Sequence, residues 1–281
     1  MRLNNFILLV TGCMLASAAF ARDDSKVVPL SDTPVAVQKA IRAQAADGTL
    51  GEIDRVMDDG GTLYDVELTA RDGSGRDFTV DENGKLVSIE VLLAETPAPV
   101  QKAAKILIGE GKLESVDKLL EDAEVTYDFE VITNGHEEKG FTLAADGTLL
   151  SAEVALNETP DAVRKAIQAQ LGAGTLEHIE KNFDEDGISY DVDTTTKEGR
   201  EKSFTVAADG SLASAQVTLE ETTPAAQKTI KDQIGNGKIL RIDKSFTKER
   251  GVLPYHIEGR KDGKPFDFSV GPRGKFLGMN D

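Results

Sequence analysis

The chain has few of the side chains on which catalytic and redox sites depend. Its 281 residues include one cysteine, three histidines and no tryptophan, and only 5% are aromatic. The cysteine, Cys13, lies in the N-terminal segment considered next, so a chain processed after it can form neither a disulfide nor a thiolate metal site. His136, His178 and His256 do not recur at matching positions. No serine nucleophile motif, His-x-x-x-His pair or glycine-rich phosphate loop accompanies them. The sequence therefore indicates a protein that is not an enzyme.

The N-terminal residues 1–21 have the pattern of a secretory signal peptide. Arg2 precedes an apolar run from Phe6 to Leu15, and small residues follow up to Ala21. The run is shorter than the roughly 20 apolar residues that cross a bilayer. We therefore expect cleavage after Ala21 and no membrane insertion of the mature chain. A lipoprotein anchored through Cys13 is the less favoured alternative, because cleavage before it would leave an unusually short apolar region. Export without disulfides predicts a periplasmic or secreted bacterial protein.

Basic residues are scarce along most of the chain. There are 32 Lys and Arg against 49 Asp and Glu, which gives a formal net charge of −17. Such a charge argues against nucleic acid and anionic membranes as partners. It favours a cation or a basic protein surface, and solubility alone is the simpler alternative. The end of the chain differs, since 219–281 contains 12 basic and 9 acidic side chains, whereas 30–92 contains 6 and 13.

The sequence repeats at a fixed interval. Thr33, Thr96, Thr159 and Thr222 occupy one column of this 63-residue period, and a fixed period of this size predicts an array of small units. A single unit of this length buries too little surface to be very stable, so we expect neighbours to pack as two pairs or as one continuous array. The predicted division is a tail at 22–29 and four segments at 30–92, 93–155, 156–218 and 219–281. The basic fourth segment is a candidate cap.

Each segment has the pattern of one helix followed by four strands. Thr33 and Pro34 suit the N-cap and first position of a helix. Apolar and acidic residues alternate over 64–68, with Tyr64 on the apolar side, as in a half-buried strand. Type I′ hairpin turns are predicted at Asn83-Gly84, Asp146-Gly147 and Asp209-Gly210. The predicted fold class is α+β, with four tandem repeats, each one helix packed on a four-stranded antiparallel sheet.

These motifs resemble a known family. The series Thr-Pro-x-x-Val-x-Lys-Ala, Ile-Asp-Lys, Tyr-Asp-Val, Phe-Thr-Val and Asp-Gly-x-Leu is similar to the PepSY-like domains of exported bacterial proteins, most of all the branch related to the β-lactamase inhibitor protein. The resemblance covers all four segments. It implies export and a non-catalytic role, such as inhibition of an enzyme through a concave sheet or service as a protease propeptide. Some periplasmic members are similar to proteins that bind calcium or lanthanide ions. The resemblance implies no catalytic residues.

Carboxylates recur on the polar side of the predicted strands and are the candidate binding residues. If neighbouring strands are in register, three of them lie on one face of each sheet, about 5 Å apart. Ca²⁺ and lanthanide ions prefer such oxygen ligands, so a cation site is one hypothesis and a protein-binding face is another. The alternative is a solvated polar face, with Arg55, Lys118, Lys181 and Lys244 reducing its charge. The candidates for partner or cation binding are Asp54, Asp65, Glu67, Asp117, Asp128, Glu130, Glu180, Asp191, Asp193, Asp243 and Glu258. Those for a metal are Asp65, Glu67, Asp128, Glu130, Asp191 and Asp193.

Two other patterns have simpler explanations. The loose match to a calcium loop at 182–193 lies between predicted strands and lacks the terminal glutamate, so we interpret it as an acidic hairpin turn. Tyr64, Tyr127, Tyr190 and Tyr255 alternate in phase with apolar positions, which predicts core tyrosines. The leading function hypothesis is a non-enzymatic exported protein that binds an unknown protein partner, with inhibition as one outcome. The alternatives are a periplasmic Ca²⁺ or lanthanide binder and a passive repeat scaffold.

Overall fold

The structure is a computed structural model that describes residues 25–279, except residues 47, 59–60, 122–123, 185–186, 248–250 and 262–263. The predicted signal peptide, including Cys13, and residues 22–24 of the predicted tail lie outside the described residues. No helix in the described part of the chain has the length and apolar character needed to cross a membrane.

The described chain is mostly β-structure. The helices are α1 (Val35–Ala45), α2 (Ala98–Ile108), α3 (Asp161–Leu171) and α4 (Pro224–Ile234), and 3-10 turns precede them at Leu30–Asp32, Leu93–Glu95, Leu156–Glu158 and Leu219–Glu221. The first nine strands are β1 (Lys26–Val27), β2 (Thr49–Asp58), β3 (Gly61–Thr69), β4 (Phe78–Asp81), β5 (Leu86–Glu90), β6 (Lys112–Glu121), β7 (Glu124–Ile132), β8 (Glu138–Ala144) and β9 (Leu149–Glu153). The others are β10 (Thr175–Asp184), β11 (Gly187–Thr195), β12 (Glu201–Ala207), β13 (Leu212–Gln216), β14 (Lys238–Ser245), β15 (Tyr255–Lys261), β16 (Lys264–Val270) and β17 (Phe276–Met279).

The strands form one continuous antiparallel sheet of 17 strands, in which each strand pairs with the next one in the chain. The predicted fold class is therefore wrong, because the chain does not form four repeats of a helix on its own four-stranded sheet. At β5–β6, β9–β10 and β13–β14, three residue pairs join strands that we had assigned to separate sheets. An isolated edge strand leaves N–H and C=O groups unpaired, and pairing with the following segment satisfies them. The segment boundaries stay predictions.

The helices cover one face of this sheet. Cross-strand partners share a face, and one continuous row runs through Phe78, Ile89, Lys118, Tyr127 and Leu143. Its apolar members pack in the cores beneath α1 and α2, and the apolar faces of α3 and α4 are buried in the same way further along the sheet. The predicted core tyrosines are all buried, at 3–6% exposure. The opposite face carries no helix in the described residues, and we call it the open face.

The sheet coils along its length. Gly61, at the start of β3, lies so close to the fourth segment that a Cβ atom added to it would be 3.9 Å from Arg260 Nη2 in β15. Neighbouring strands in a sheet are rotated by about 20–25°, and over 17 strands this rotation brings the first hairpin back towards β15. The open face is therefore not a flat surface.

The threonine column does not cap the first three helices. Thr33 is buried, and its hydroxyl donates a hydrogen bond to the Leu30 carbonyl at 2.9 Å, which closes the preceding 3-10 turn. Pro34 is the N-cap residue of α1 and has no side-chain hydrogen bond to the helix. Only α4 has the predicted arrangement, with Thr223 accepting from the Ala226 N–H at 3.2 Å and Pro224 at the first position.

The hairpins between the third and fourth strands are present, but their predicted turn type is wrong. A type I′ turn needs positive φ at both central residues. Gly84 and Gly147 have positive φ, whereas their neighbours Asn83 and Asp146 do not. Each hairpin has a register shift beside the turn: Thr79 pairs with Ser88 but Val80 pairs with Leu86, which leaves Val87 of β5 as an extra residue, and the other hairpins show the same pattern. The extra strand residue allows a longer turn that needs only one positive φ.

Candidate functional site

The open face carries the carboxylates that the sequence singled out. Asp54 in β2 lies directly opposite Asp65 in β3, and Asp117 in β6 lies opposite Asp128 in β7. Glu180 similarly lies opposite Asp191. In the fourth segment the partner of Asp243 is His256. The remaining candidates are one strand pleat further along on the same face: Glu67, Glu130, Asp193 and Glu258.

The basic residues expected to reduce the charge of this face lie on the other one. Arg55, Lys118, Lys181 and Lys244 are each directly opposite a core tyrosine, on the side of the helices. The prediction that these four basic residues lie on the acidic face was wrong. Each follows an acid of the open face by one residue, and successive side chains of a strand point to opposite faces. The open face is consequently more acidic than the sequence suggested.

The joined sheet adds residues that sequence reasoning missed. Glu90 of β5 lies opposite Asp117, Glu153 of β9 opposite Glu180, and Gln216 of β13 opposite Asp243. Each comes from the segment before its partner, so the separate sheets that we predicted could not bring them together. The resulting groups lie at three junctions between segments.

The first junction holds carboxylates that repel one another. Asp117 is half-buried, and Asp77, Glu90, Asp128 and Glu130 surround it; we call these five residues the Asp117 cluster. Burial raises the pKa of Asp117 to about 7, with further contributions from the charges of Glu90, Glu130, Asp128 and Asp77. Burial also raises the pKa of Glu130, although a hydrogen bond from Ser115 at 3.1 Å opposes this. The charged neighbours that raise the pKa of Asp117 most are all acids.

The second junction contains a histidine. His178 Nδ1 lies 3.3 Å from Glu153 Oε1. Desolvation lowers the pKa of His178, but the hydrogen bond and charge of Glu153, with Glu180 and Asp193, outweigh it and raise the pKa overall. Desolvation raises the pKa of Glu153, but the hydrogen bond and charge of His178 outweigh it, so the pKa of Glu153 is lowered overall. This junction can therefore carry one compensating positive charge.

The third junction contains a permanent cation. Arg241 Nε lies 2.5 Å from Asp243 Oδ2, and its Nη2 donates to Ser203 Oγ at 2.7 Å. Burial lowers the pKa of Arg241, but Asp243, Glu258 and Asp193 raise it overall. The guanidinium is thus held between strands of the third and fourth segments.

A single sequence column distinguishes the three junctions. Ser115, His178 and Arg241 occupy the same position in successive segments, and they provide a neutral, a titratable and a permanently charged side chain in turn. The period contained this signal. It is a column whose residues change from segment to segment, whereas the predicted site residues come from columns in which acids recur.

The described side chains do not converge on a metal ion. Within the described residues, no three His, Cys, Asp or Glu side chains are placed so that they could hold one together. The loose calcium-loop match falls on the β10–β11 hairpin, where Asn182 Nδ2 donates to Asp191 Oδ2 at 2.8 Å. Asp186 of that match lies outside the described residues.

Comparisons with known proteins find only distant structural similarity. No family model matches the sequence, and no curated protein matches it at a significant level. A candidate calcium-regulated periplasmic protein from Bacteroides thetaiotaomicron is 19% identical and similar over 47% of this chain and 98% of its own, with a TM-score of 0.30. A DUF2874 family protein from Bacteroides uniformis is 15% identical over 43% of this chain and 88% of its own, with a TM-score of 0.34.

A BLIP-like protein from Bacteroides fragilis is 16% identical over 44% of this chain and 86% of its own, with a TM-score of 0.31. Such low scores carry no argument about the activity, ligands or cellular location of this chain. The family resemblance and the export of the chain stay predictions.

Proposed function

We propose that the protein is a non-enzymatic exported binding protein whose open face engages a basic protein partner. The Asp117 cluster is the observation that supports this most strongly. Asp117 is half-buried, and the four charged neighbours that contribute most to its raised pKa are all acids. A lysine or arginine from a partner would relieve the repulsion in the cluster, since a nearby cation favours the ionised carboxylate. The repulsion stored in the free protein would then add to the affinity.

The acidic field should also affect how fast the partner binds. Charge complementarity raises association rates and makes them dependent on salt, because exposed charges are screened beyond about 8 Å at physiological ionic strength. Binding should therefore weaken as the salt concentration rises. Whether the partner is an enzyme that this chain inhibits is decided by identifying the partner.

The test is capture from periplasmic extract with immobilised protein comprising residues 22–281. The binding variant is Asp117→Asn/Glu130→Gln, and the control is Asp161→Asn/Glu198→Gln, which changes the same charge at exposed positions away from the open face. We expect a protein that the wild type and the control retain at low salt and the binding variant loses. Calorimetry with that purified protein should then give a defined stoichiometry. Equal retention by both variants, or no reproducible protein, would rule out this site.

Cation binding is the second candidate, and the near-neutral pKa of Asp117 favours it, because like-charge repulsion in the cluster would also be relieved by Ca²⁺ or a lanthanide ion. The side chains would have to move to coordinate one. Calorimetric titration of the chelator-treated protein with Ca²⁺ and La³⁺ tests this, with the triple variant Asp65→Asn/Asp128→Asn/Asp191→Asn as comparison. Saturable binding that the variant lacks would support the site. Weak, salt-screened heats would reject it, and if capture also failed, a passive scaffold would remain.

A further inference from the structure

The two ends of the sheet differ from its interior in an instructive way. Within the described residues, β17 pairs only with β16. Its counterparts β5, β9 and β13 each pair on the far side with the first strand of the following segment, through three residue pairs. The outer edge of β17 thus corresponds to the edges of β5, β9 and β13, each of which pairs with a strand of the following segment.

At the opposite end, the described residues form a short strand in the place of such an inner strand. β1 has two residues, and Lys26 and Val27 pair with Arg55 and Asp54 of β2. In the interior, β5 makes the equivalent pairs with Lys118 and Asp117, and Ser88 adds a third pair with Leu119. The position of β2 that corresponds to Leu119 is Val56, which has no such pair with β1. Among the described residues, β1 therefore pairs with β2 through two residues, where an inner strand uses three.

Each of the first three segments has a basic side chain that contacts the following segment, and the last segment has a phenylalanine at the corresponding position. Arg76, Lys139 and Lys202 occupy one column of the repeat, and each contacts a glutamate of the following 3-10 turn, at 2.5, 2.7 and 3.4 Å. Counted back from the core valine of the same strand (Val270 in β16, Val206 in β12), the corresponding residue in the fourth segment is Phe266. It lines a pocket of about 410 Å³ together with Phe268, Met279, Lys261 and Lys264. In each of the first three segments this position forms an ion pair with the next segment. In the last segment the same position is an open apolar pocket with lysines beside it.

The first and last segments both expose apolar side chains, and their net charges are opposite in sign. Val35 and Met57 in the first segment are 83% and 50% exposed, and Phe276 and Met279 in the last segment are 38% and 58% exposed. The first segment, 30–92, contains 6 basic and 13 acidic side chains, whereas the last, 219–281, contains 12 and 9. The first segment is thus acidic and the last is basic.

We propose that the protein assembles head to tail, with β17 of one copy pairing with β2 of a second copy in place of that copy's β1. The second copy's first 3-10 turn then lies over the pocket at Phe266, as inner turns lie beside Arg76 and its counterparts. Lys264, two residues away on the same side of the strand, is placed to meet Asp32 of that turn. The contact joins two different surfaces, so each copy keeps a free head and a free tail, and the chain of copies grows until it closes into a ring or continues as an open assembly. It does not depend on the proposed function of the open face.

The first experiment is sedimentation equilibrium of the mature protein over a range of concentrations. We expect an average mass that rises beyond a dimer with concentration and falls with added salt. A tail variant, Phe276→Lys/Met279→Lys, should raise the dissociation constant at least about tenfold, because lysine on an edge strand opposes pairing. Ile106→Lys/Leu107→Lys on α2 is the matched control and should associate like the wild type. Circular dichroism checks that each variant is folded.

A mixing experiment separates this mode from other self-association. The head variant Val35→Lys/Met57→Lys retains a normal tail, and the tail variant retains a normal head. Each alone should be monomeric, and the two together should form a one-to-one dimer and nothing larger. A chain that starts at Val28, and so lacks β1, should associate at lower concentration than the wild type. A wild type that stays monomeric, or one that forms a dimer which does not grow, would overturn the proposal, as would end variants that associate normally.

Discussion

Asp117 and Asp243 occupy equivalent positions two periods apart, yet their surroundings are opposite. Asp117 lies among acids that oppose its ionisation, whereas Asp243 is in contact with Arg241. The difference comes from one neighbouring residue, since Ser115 stands where the later junction has Arg241. At the scale of single residues, repulsion is left uncompensated at the first junction and neutralised at the third.

We predict that Asp117→Asn stabilises the protein above neutral pH. The pKa of this carboxyl is ordinarily 3.8 and is about 7 in the folded protein. Between these values the folded state binds more protons than the unfolded chain, so stability falls as the pH rises through this window. Asparagine removes this loss. At roughly 1.4 kcal/mol per pKa unit the shift corresponds to about 4 kcal/mol, and solvent screening of this half-buried group reduces the expected gain to about 2 kcal/mol at pH 8, with almost none at pH 4. Urea denaturation across this pH range measures it.

The matched comparison is Asp243→Asn, which should destabilise the protein at pH 8. This change removes the carboxylate in contact with the half-buried Arg241 and leaves Glu258 and Asp193 as its acidic neighbours, and a charge away from water that loses its direct partner is costly. If the two substitutions changed stability in the same direction, the assigned electrostatic difference between the junctions would be incorrect.

The β8–β9 hairpin shows how a turn and a helix are fitted together. Gly147 has φ of +85°, and a Cβ atom added there would lie 2.8 Å from the Pro99 carbonyl oxygen in the first turn of α2. The turn glycine thus serves two purposes, since it supplies a left-handed conformation and permits close contact with the helix. Packing between these elements places α2 relative to the sheet.

We predict that Gly147→Ala costs about 3 kcal/mol of stability, and Gly199→Ala about 1 kcal/mol. Gly199 also has positive φ, at +76°, but an added Cβ there would meet no atom within 4 Å. The difference between the two variants therefore isolates the contact with α2 from backbone strain. Thermal and urea denaturation measure both. Equal losses would show that the hairpin does not pack closely on the helix.

The continuous sheet makes the stability of each segment depend on its neighbours. Three residue pairs cross each junction, and in array proteins the interfaces between neighbours supply a large part of the stability. At the scale of the whole molecule, a defect in one segment should therefore be felt beyond it.

We predict that Ile167→Ala, in the buried face of α3, speeds amide hydrogen exchange in β9 and β14 as well as in β10–β13. Ile167 is fully buried, and truncating such a side chain costs about 2–5 kcal/mol. The loosened third segment then holds its two neighbouring strands less firmly. Exchange measured by mass spectrometry on peptides tests this. Faster exchange confined to β10–β13 would mean that the segments unfold independently.

The local elements followed from short-range patterns. Alternation around Tyr64 and the apolar spacing of Val37 and Ile41 indicate a strand and a helix, because these periods depend only on backbone geometry. The same alternation placed the acids on the face away from the core. The helix cap at Thr33 and the type I′ turns were wrong, since they depend on which backbone groups are already bonded and on the φ of single residues.

The period of the repeat, the excess of acids and the face on which they lie follow from the order of amino acids alone, because each is a property of residues close together in the chain. That the strands form one sheet, and that Glu90 meets Asp117 or Glu153 meets Glu180, follows from the three-dimensional fold. The pattern within a segment specifies which side chains lie on each face of its strands. It does not specify which strand pairs with the last strand of the segment. That partner is chosen by hydrogen bonding between segments, and the graded charge of the three junctions follows from that choice.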